Sequence, residues 1–230
     1  MRRVRRWTAW PPVGHVDFGD LRRPSPICAD WGYSRGTPID RHYIGRFVAR
    51  HAAVIHGRVL EIGTNELTVR YGGSRVTRAD VLHVASAEPP VTIVGDLTDG
   101  AGLASDAFDC IIATQTLQFI YDVHAVVRTL HRILKPGGAV LVTTPGISKI
   151  SPEDMDRWGH YWSFTSRSAR RLFEEAFPPR AVSVEACGNP LAATAFLQGV
   201  AAEELTEAEL DYVDAQFEML IGVRAEKPAR

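Results

Sequence analysis

Between residues 58 and 144 the chain alternates short apolar runs with helical or turn-forming segments, and this alternation is the strongest constraint on its fold. Arg58–Gly63 (RVLEIG), Val76–Leu82, Val91–Val94 (VTIV), Phe108–Thr114 (FDCIIAT) and Ala139–Thr144 (AVLVTT) read as five strands. They are short and almost continuously apolar, as strands covered on both faces must be. Strands separated by helices or loops imply parallel pairing with right-handed crossovers. Asp122–Leu134 carries a helical period through Val123, Val126, Val127, Leu130, Ile133 and Leu134, and Lys135-Pro136-Gly137-Gly138 is expected to stop it as a turn.

The flanks complete the pattern. Residues 1–38 are rich in Pro, Gly and Arg without periodicity and read as an irregular arm. Pro38 can open a helix over about 39–56, with Ile39, Tyr43, Ile44, Phe47, Val48 and Ala52 on one side and Gly57 at its end. After the fifth strand, Ser166–Phe177 reads as a helix and Val182–Ala186 as a sixth strand. Pro190–Leu205 reads as an apolar helix, Thr206–Tyr212 as a short acidic one, and Phe217–Ala225 as a seventh strand. The expected fold is α/β: a doubly wound, mostly parallel seven-strand sheet with an N-terminal arm and helix. The expected division is 1–56, arm and cap helix, and 57–230, ligand-binding domain.

At 230 residues and 45% hydrophobic the chain can bury one ordinary core. Its net charge of −1 gives no global attraction to nucleic acid or membrane, although residues 1–51 hold ten arginines against four aspartates. Arg2, Arg3, Arg5 and Arg6 lead into no long apolar run. They read as a frayed basic tail, with nucleic-acid contact the minor alternative. Cys28, Cys110 and Cys187 are too far apart for a disulfide framework or a CxxC metal site, which suits a reducing cytoplasm. No metal is expected, since His51, His56, His124 and His131 lack carboxylates at ligand spacing. Cys110, within a strand, reads as packing.

Ligands of open parallel sheets bind at the carboxyl ends of the strands. The first strand ends in Glu61-Ile62-Gly63, and Asp80 follows 19 residues after Glu61, at or near the end of the second. An acid there can accept two hydrogen bonds from a ribose diol. Asp96, after the third strand, could meet an adenine amine. Ordinary strand-end acids and, for Asp96, a turn-forming aspartate are the plainer readings.

With VLEIG (59–63), Asp80, VGDLTD (94–99), FDCIIATQTLQFIYD (108–122), LHRILKPGG (130–138) and AVLVTTPG (139–146), the chain resembles a class I S-adenosylmethionine-dependent methyltransferase of the small-molecule type over roughly residues 55–227. The resemblance implies a Rossmann-like methyltransferase fold and S-adenosylmethionine as cofactor. It places Glu61 and Gly63 beside the methionine portion, Asp80 at the ribose, and Asp96 and Leu97 at the adenine, with Asn65 and Val81 also among the cofactor-binding residues. Thr114 and Gln115 would face the sulfonium and the substrate, and LKPGG would be structural. One departure matters. The family's Glu-x-Gly-x-Gly-x-Gly loop reads here Glu61-Ile62-Gly63-Thr64-Asn65-Glu66-Leu67. Asn65 tolerates positive φ and could replace the second glycine; Leu67 cannot so easily replace the third. The Gly72-Gly73 pair offers the loop another path.

His160 lies in Trp158-Gly159-His160-Tyr161-Trp162-Ser163-Phe164-Thr165, a segment that lines the acceptor pocket in related methyltransferases. It could serve as general base, line the pocket without proton transfer, or pack. Trp158, Tyr161 and Trp162 join it as candidate substrate contacts. In the arm, Tyr33 and Arg35 are further candidates: Arg35 or Arg41 could pair with a carboxylate, or the arm could simply staple onto the core through Trp31 and Tyr33. The implied function is methyl transfer to a small polar acceptor, with a hydroxyl of a sugar or secondary metabolite favoured over an amine. A domain that no longer methylates and acts as a ligand-binding or partner subunit is the competing class. Transfer of the aminocarboxypropyl group is a third. The expected partners are a small molecule, no nucleic acid and no membrane, with the arm available to a homodimer contact.

Overall fold

The computed structural model describes residues 10–229. The arginines of the basic tail therefore lie outside the described residues. Seven strands form one sheet: β1 (Gly57–Ile62), β2 (Val76–His83), β3 (Ile93–Val94), β4 (Phe108–Thr114), β5 (Leu134–Pro145), β6 (Val182–Cys187) and β7 (Leu220–Glu226). Their order is β3-β2-β1-β4-β5-β7-β6, with β7 antiparallel to both neighbours and every other pair parallel. Strand order reverses between β1 and β4, which opens a crevice at their carboxyl ends.

Alternation of side chains splits the core into two layers. Leu60, Ile111, Val140 and Val142 face one side, under α2 (Val123–Ile133) and α4 (Ser166–Phe173). Val59, Cys110, Ile112 and Leu141 face the other, under α1 (Ile39–Arg50) and α5 (Pro190–Gln198). Both faces being covered, the central strand β4 and the later half of β5 carry no exposed polar face, as their sequences required. Burial raises the Cys110 thiol to about 12, so it packs without ionising.

Several boundaries differ from expectation, each for a local reason. LKPGG is the beginning of β5 and not a turn. Leu134 pairs with Phe108 of β4, while Gly137 N–H donates to Lys227 O at 2.8 Å and Lys227 N–H to Gly138 O at 2.9 Å. Gly137 takes φ +82, which lets the strand bulge at this point. The third strand covers only Ile93–Val94, and Thr92 before it already joins β2, its N–H donating to Val81 O at 3.0 Å and its Oγ1 accepting Val81 N–H at 2.9 Å. α1 stops at Arg50, followed by a 3₁₀ turn at Ala52–Val54. α4 ends at Phe173. The apolar helix after Pro190 stops at Gln198, where Gly199 adopts φ +70 and its Cα lies against the Cys28 backbone. α6 covers Glu207–Asp211 with Thr206 as N-cap, and β7 starts three residues later than its apolar run. A short α3 (Pro152–Arg157), capped by Ser151, stands where no helix was expected.

The crossover from β1 to β2 is a short helical stretch that begins α-helical at Glu66 and Leu67. It continues as a π turn at Thr68–Gly72 followed by a 3₁₀ turn at Gly73–Arg75. The arm is stitched to the chain after α5. Cys28 N–H donates to Gln198 O at 3.0 Å, Ala202 N–H to Thr37 O at 2.8 Å, and Thr37 Oγ1 to Glu203 at 2.6 Å. Those bonds fix the arm to the segment that follows α5. Among the described residues no helix is long and apolar enough to cross a membrane.

Candidate active site

Two cavities meet at the carboxyl ends of the strands. The first, a crevice of about 490 Å³, lies over the ends of β1, β2 and β4 and beside the loop after β3. The second, a chamber of about 310 Å³, lies between α3, the start of α1 and the arm. Gln115, Phe119 and Asp154 line both. Gln115 follows β4 directly and is held at φ +48, with its N–H donating to Thr143 O at 2.9 Å. A non-glycine residue in that region is strained, and here the strain turns the chain between the two cavities.

Seven of the expected site residues line the crevice: Gly63, Asp96, Leu97, Thr114, Gln115, Trp158 and Tyr161. Gly63 has φ +80, and a Cβ there would meet no atom within 4 Å, so the backbone is bare toward the opening. The Asp96 carboxylate accepts Thr98 N–H at 2.7 Å and its hydroxyl at 2.8 Å, both on Oδ1. Tyr33 and His160 line the chamber, beside Asp40, Arg41, Gln118 and Lys149.

The remaining expectations are placed elsewhere. Asp80 is not at the end of β2. It lies three residues earlier, 1% exposed, with both carboxylate oxygens engaged. Arg58 Nε donates to Oδ2 at 2.7 Å; Arg78 Nε and Thr92 Oγ1 donate to Oδ1 at 3.1 and 3.2 Å. Burial alone would raise its pKa, but the two guanidiniums outweigh burial and hold it below the usual carboxylate range. The residue that ends the strand and lines the crevice is His83.

Glu61 is also turned inward. Its carboxylate accepts Leu67 N–H at 3.2 Å and both the N–H and the hydroxyl of Thr68 at 2.7 Å. It therefore caps the π turn that replaces the glycine loop; burial raises its pKa despite these bonds. Asn65 accepts Val69 N–H through its carbonyl at 2.9 Å within the same turn, and Val81 is a core residue. None of these four lines either cavity.

Arg35 does not reach the chamber. It makes a two-pronged pair with Glu204, at 2.7 and 2.6 Å, on the outer surface. Trp162 lines neither cavity. It donates from Nε1 to Ile120 O at 3.0 Å and stacks on Tyr121 at 5.8 Å, bracing the loop after β4.

Sequence reasoning missed Asp40, Gln118, Lys149, Asp154 and His83 as cavity residues. Gln118 belongs to the quoted TQTLQF run, and Asp40 and Arg41 to the arm segment, so a signal existed for these. Lys149 is held over the Trp31 ring at 3.7 Å and donates to Ala29 O, a contact across the fold that no spacing announces. Arg41 Nε donates to Tyr33 Oη at 3.0 Å. Burial raises the pKa of Asp40 and lowers that of Lys149, so both charges are carried at a cost in the chamber wall. Two atoms there are buried without a hydrogen-bond partner among the described residues: Gln118 Oε1 and His160 Nδ1. His160 stands edge-on to Phe119 at 5.5 Å.

Comparison with known proteins adds the following. Residues 31–176 match a family model described as a methyltransferase domain. A probable S-adenosylmethionine-dependent methyltransferase of Mycolicibacterium smegmatis is 30% identical over 95 residues, 41% of this chain and 32% of that protein. The match thus spans about a third of the curated relative's length. Among solved structures, the [4+2]-cyclase SpnF superposes with a TM-score of 0.57 at 18% identity, covering 85% of each chain. A SAM-dependent methyltransferase from Archaeoglobus fulgidus does so at 0.53 and 13% identity, covering 81% of this chain and 94% of that one. At these identities the likeness is one of fold.

Proposed function

The chain belongs to the class I S-adenosylmethionine-dependent methyltransferase family, and we propose that it moves the methyl group of that cofactor to a hydroxyl of a small polar acceptor held in the chamber under the arm. The observation that carries this reading is the junction of two cavities at Gln115, Phe119 and Asp154, with the unpartnered His160 Nδ1 on the chamber side.

The crevice fits the cofactor in size and in the bare backbone at Gly63, since small-molecule sites span about 300–1,000 Å³. Gly63, Asp96, Leu97 and Thr114 would hold it. When bound, S-adenosylmethionine supplies a methyl carbon on a positively charged sulfur that departs as a neutral thioether.

The protein's part is alignment. Gln115, Phe119 and Asp154 line both compartments, so an acceptor seated in the chamber lies beside the crevice. His160 Nδ1, in the tautomer with its hydrogen on Nε2, accepts the hydroxyl proton as the oxygen attacks. The arm, Tyr33 included, excludes bulk water from the chamber.

Calorimetric titration with S-adenosylhomocysteine tests the reading. Micromolar binding supports it, and no binding at millimolar ligand overturns it. With an acceptor in hand, His160→Gln lowers kcat by about a hundredfold or more with a small change in KM. A product heavier by one methyl group separates methyl transfer from aminocarboxypropyl transfer.

A second reading is a ligand-binding domain that does not methylate. It is favoured by one observation: Glu61 and Asp80, the two acids expected at the cofactor, are both spent on the protein itself. Binding without turnover across a panel of hydroxyl and amine acceptors would select it.

A further inference from the structure

The end of β2 presents a hydrogen-bond donor where an acid was expected. His83 is the last residue of the strand and lines the crevice with Gly63 and Asp96. Its Nδ1 accepts the backbone N–H of Ala85 at 3.1 Å and of Ser86 at 2.8 Å. Both donors fall on one nitrogen, so the lone pair is on Nδ1 and the ring hydrogen on Nε2. The Trp158 ring stands edge-on to the imidazole at 5.6 Å and fixes its plane from the crevice side. Asp80, with both oxygens taken by Arg58, Arg78 and Thr92, cannot supply the missing acceptor.

A carboxylate at a strand end takes two hydrogens and so clamps both hydroxyls of a ribose. An imidazole N–H gives one hydrogen to one oxygen. From this placement we infer that His83 is a specificity-determining residue of the crevice, its Nε2–H donating to a single hydroxyl oxygen of the nucleoside sugar. The crevice then reads one sugar hydroxyl and is indifferent to the other. This inference rests on the adenosyl-cofactor reading above.

The experiment is calorimetric titration of the full chain with S-adenosylhomocysteine and with its 2′-deoxy and 3′-deoxy forms. The proteins are wild type, His83→Phe and His83→Asn, with thermal melting followed by circular dichroism. His83→Phe keeps the ring against Trp158. His83→Asn keeps an acceptor for the Ala85 and Ser86 N–H groups, and so preserves the turn if the Phe variant does not fold.

The wild type should lose about tenfold in affinity with one deoxy form and less than about threefold with the other. Both variants should lose about tenfold for the parent ligand and no longer distinguish the two deoxy forms. Equal losses for the two deoxy forms in the wild type would mean a diol clamp and overturn the inference. So would variants that bind and discriminate like the wild type. No binding by the wild type would overturn the cofactor reading and the inference together, a result distinct from binding that ignores His83.

Discussion

Gln118 donates from Nε2 to Oε1 of Gln115 at 2.9 Å, joining a buried chamber residue to the strained residue that lines both cavities. The bond turns the amide of Gln115 away from free rotation and leaves Gln118 Oε1 as an acceptor in the chamber wall. It also separates what Gln115 does for the fold from what it does for the site. Gln115→Gly removes the strain of φ +48 and adds chain entropy, two effects of similar size. The unfolding free energy should therefore change by less than about 1 kcal/mol. Methyl transfer should fall at least about tenfold, because the wall between the cavities is gone. A denaturant titration beside a turnover assay checks both halves; a parallel loss of stability and activity would refute the separation.

Asp80 is held in its charged form by Arg58 and Arg78, and Asp109 by Lys135, whose Nζ donates to Oδ2 at 2.7 Å. In both, burial pushes the pKa up and the cations more than reverse it, so the folded values lie below the unfolded ones. The stabilisation is then fully present above the unfolded carboxylate value, about 3.9, and disappears as pH falls through the folded value. Stability should drop steeply below about pH 4, and Asp80→Asn should flatten that drop. At neutral pH Asp80→Asn should cost about 2 kcal/mol, most of it from uncovering Arg58 beside a buried site. Its affinity for S-adenosylhomocysteine should stay within about threefold of wild type. Denaturant midpoints against pH, with one ligand titration, provide the check, and a large loss of affinity at full stability would restore Asp80 to the site.

Arg35 and Tyr33 are neighbours in the arm with different fates. Arg35 pairs outward with Glu204, and Tyr33 holds Arg41 in the chamber wall. Arg35→Ala should lower the melting temperature slightly and leave the acceptor KM unchanged. Tyr33→Phe removes the hydroxyl under Arg41 and should raise that KM several-fold at constant stability. Equal effects of the two substitutions on KM would contradict the placement.

Gly138 sits where a Cβ would meet the carbonyl oxygens of Lys135, Asp109 and Phe108 at 2.9, 3.0 and 3.1 Å. All three are backbone atoms and cannot swing aside. Gly138→Ala should destabilise the protein by about 2 kcal/mol, whereas Gly137→Asn, at φ +82, should cost less. Urea midpoints of the two variants decide whether LKPGG is part of the ladder or a simple turn.

The strand registers show how much of the fold was legible. CIIA and AVLV are apolar on both faces, and that needs no partner to be read: only a sheet covered on two sides can bury them. Helix caps were legible where a side chain closes the first turn, as Asp122 does for α2 through Ala125 N–H at 2.9 Å. Helix ends were not, because Gly199 stops α5 under contact with Cys28, a residue far away in sequence. The crevice was legible at the strand ends and the loops that follow them: Gly63, Asp96, Thr114 and Gln115 all line it.

Among the expected site residues that lie away from both cavities, the acids Glu61 and Asp80 show why expectation and structure differ. A carboxylate at a given spacing can face a ligand, an arginine or its own loop, and the choice depends on partners that approach from other elements. Local pattern and composition by themselves determined the sheet, its two covered faces and the end at which a ligand can enter, because burial and strand period act over a few residues. Which of Glu61, Asp80 and His83 lines that crevice was decided by tertiary structure alone. Arg58, Arg78 and Thr92 close on Asp80, and Thr68 closes on Glu61. A buried charge goes to whatever donors can reach it.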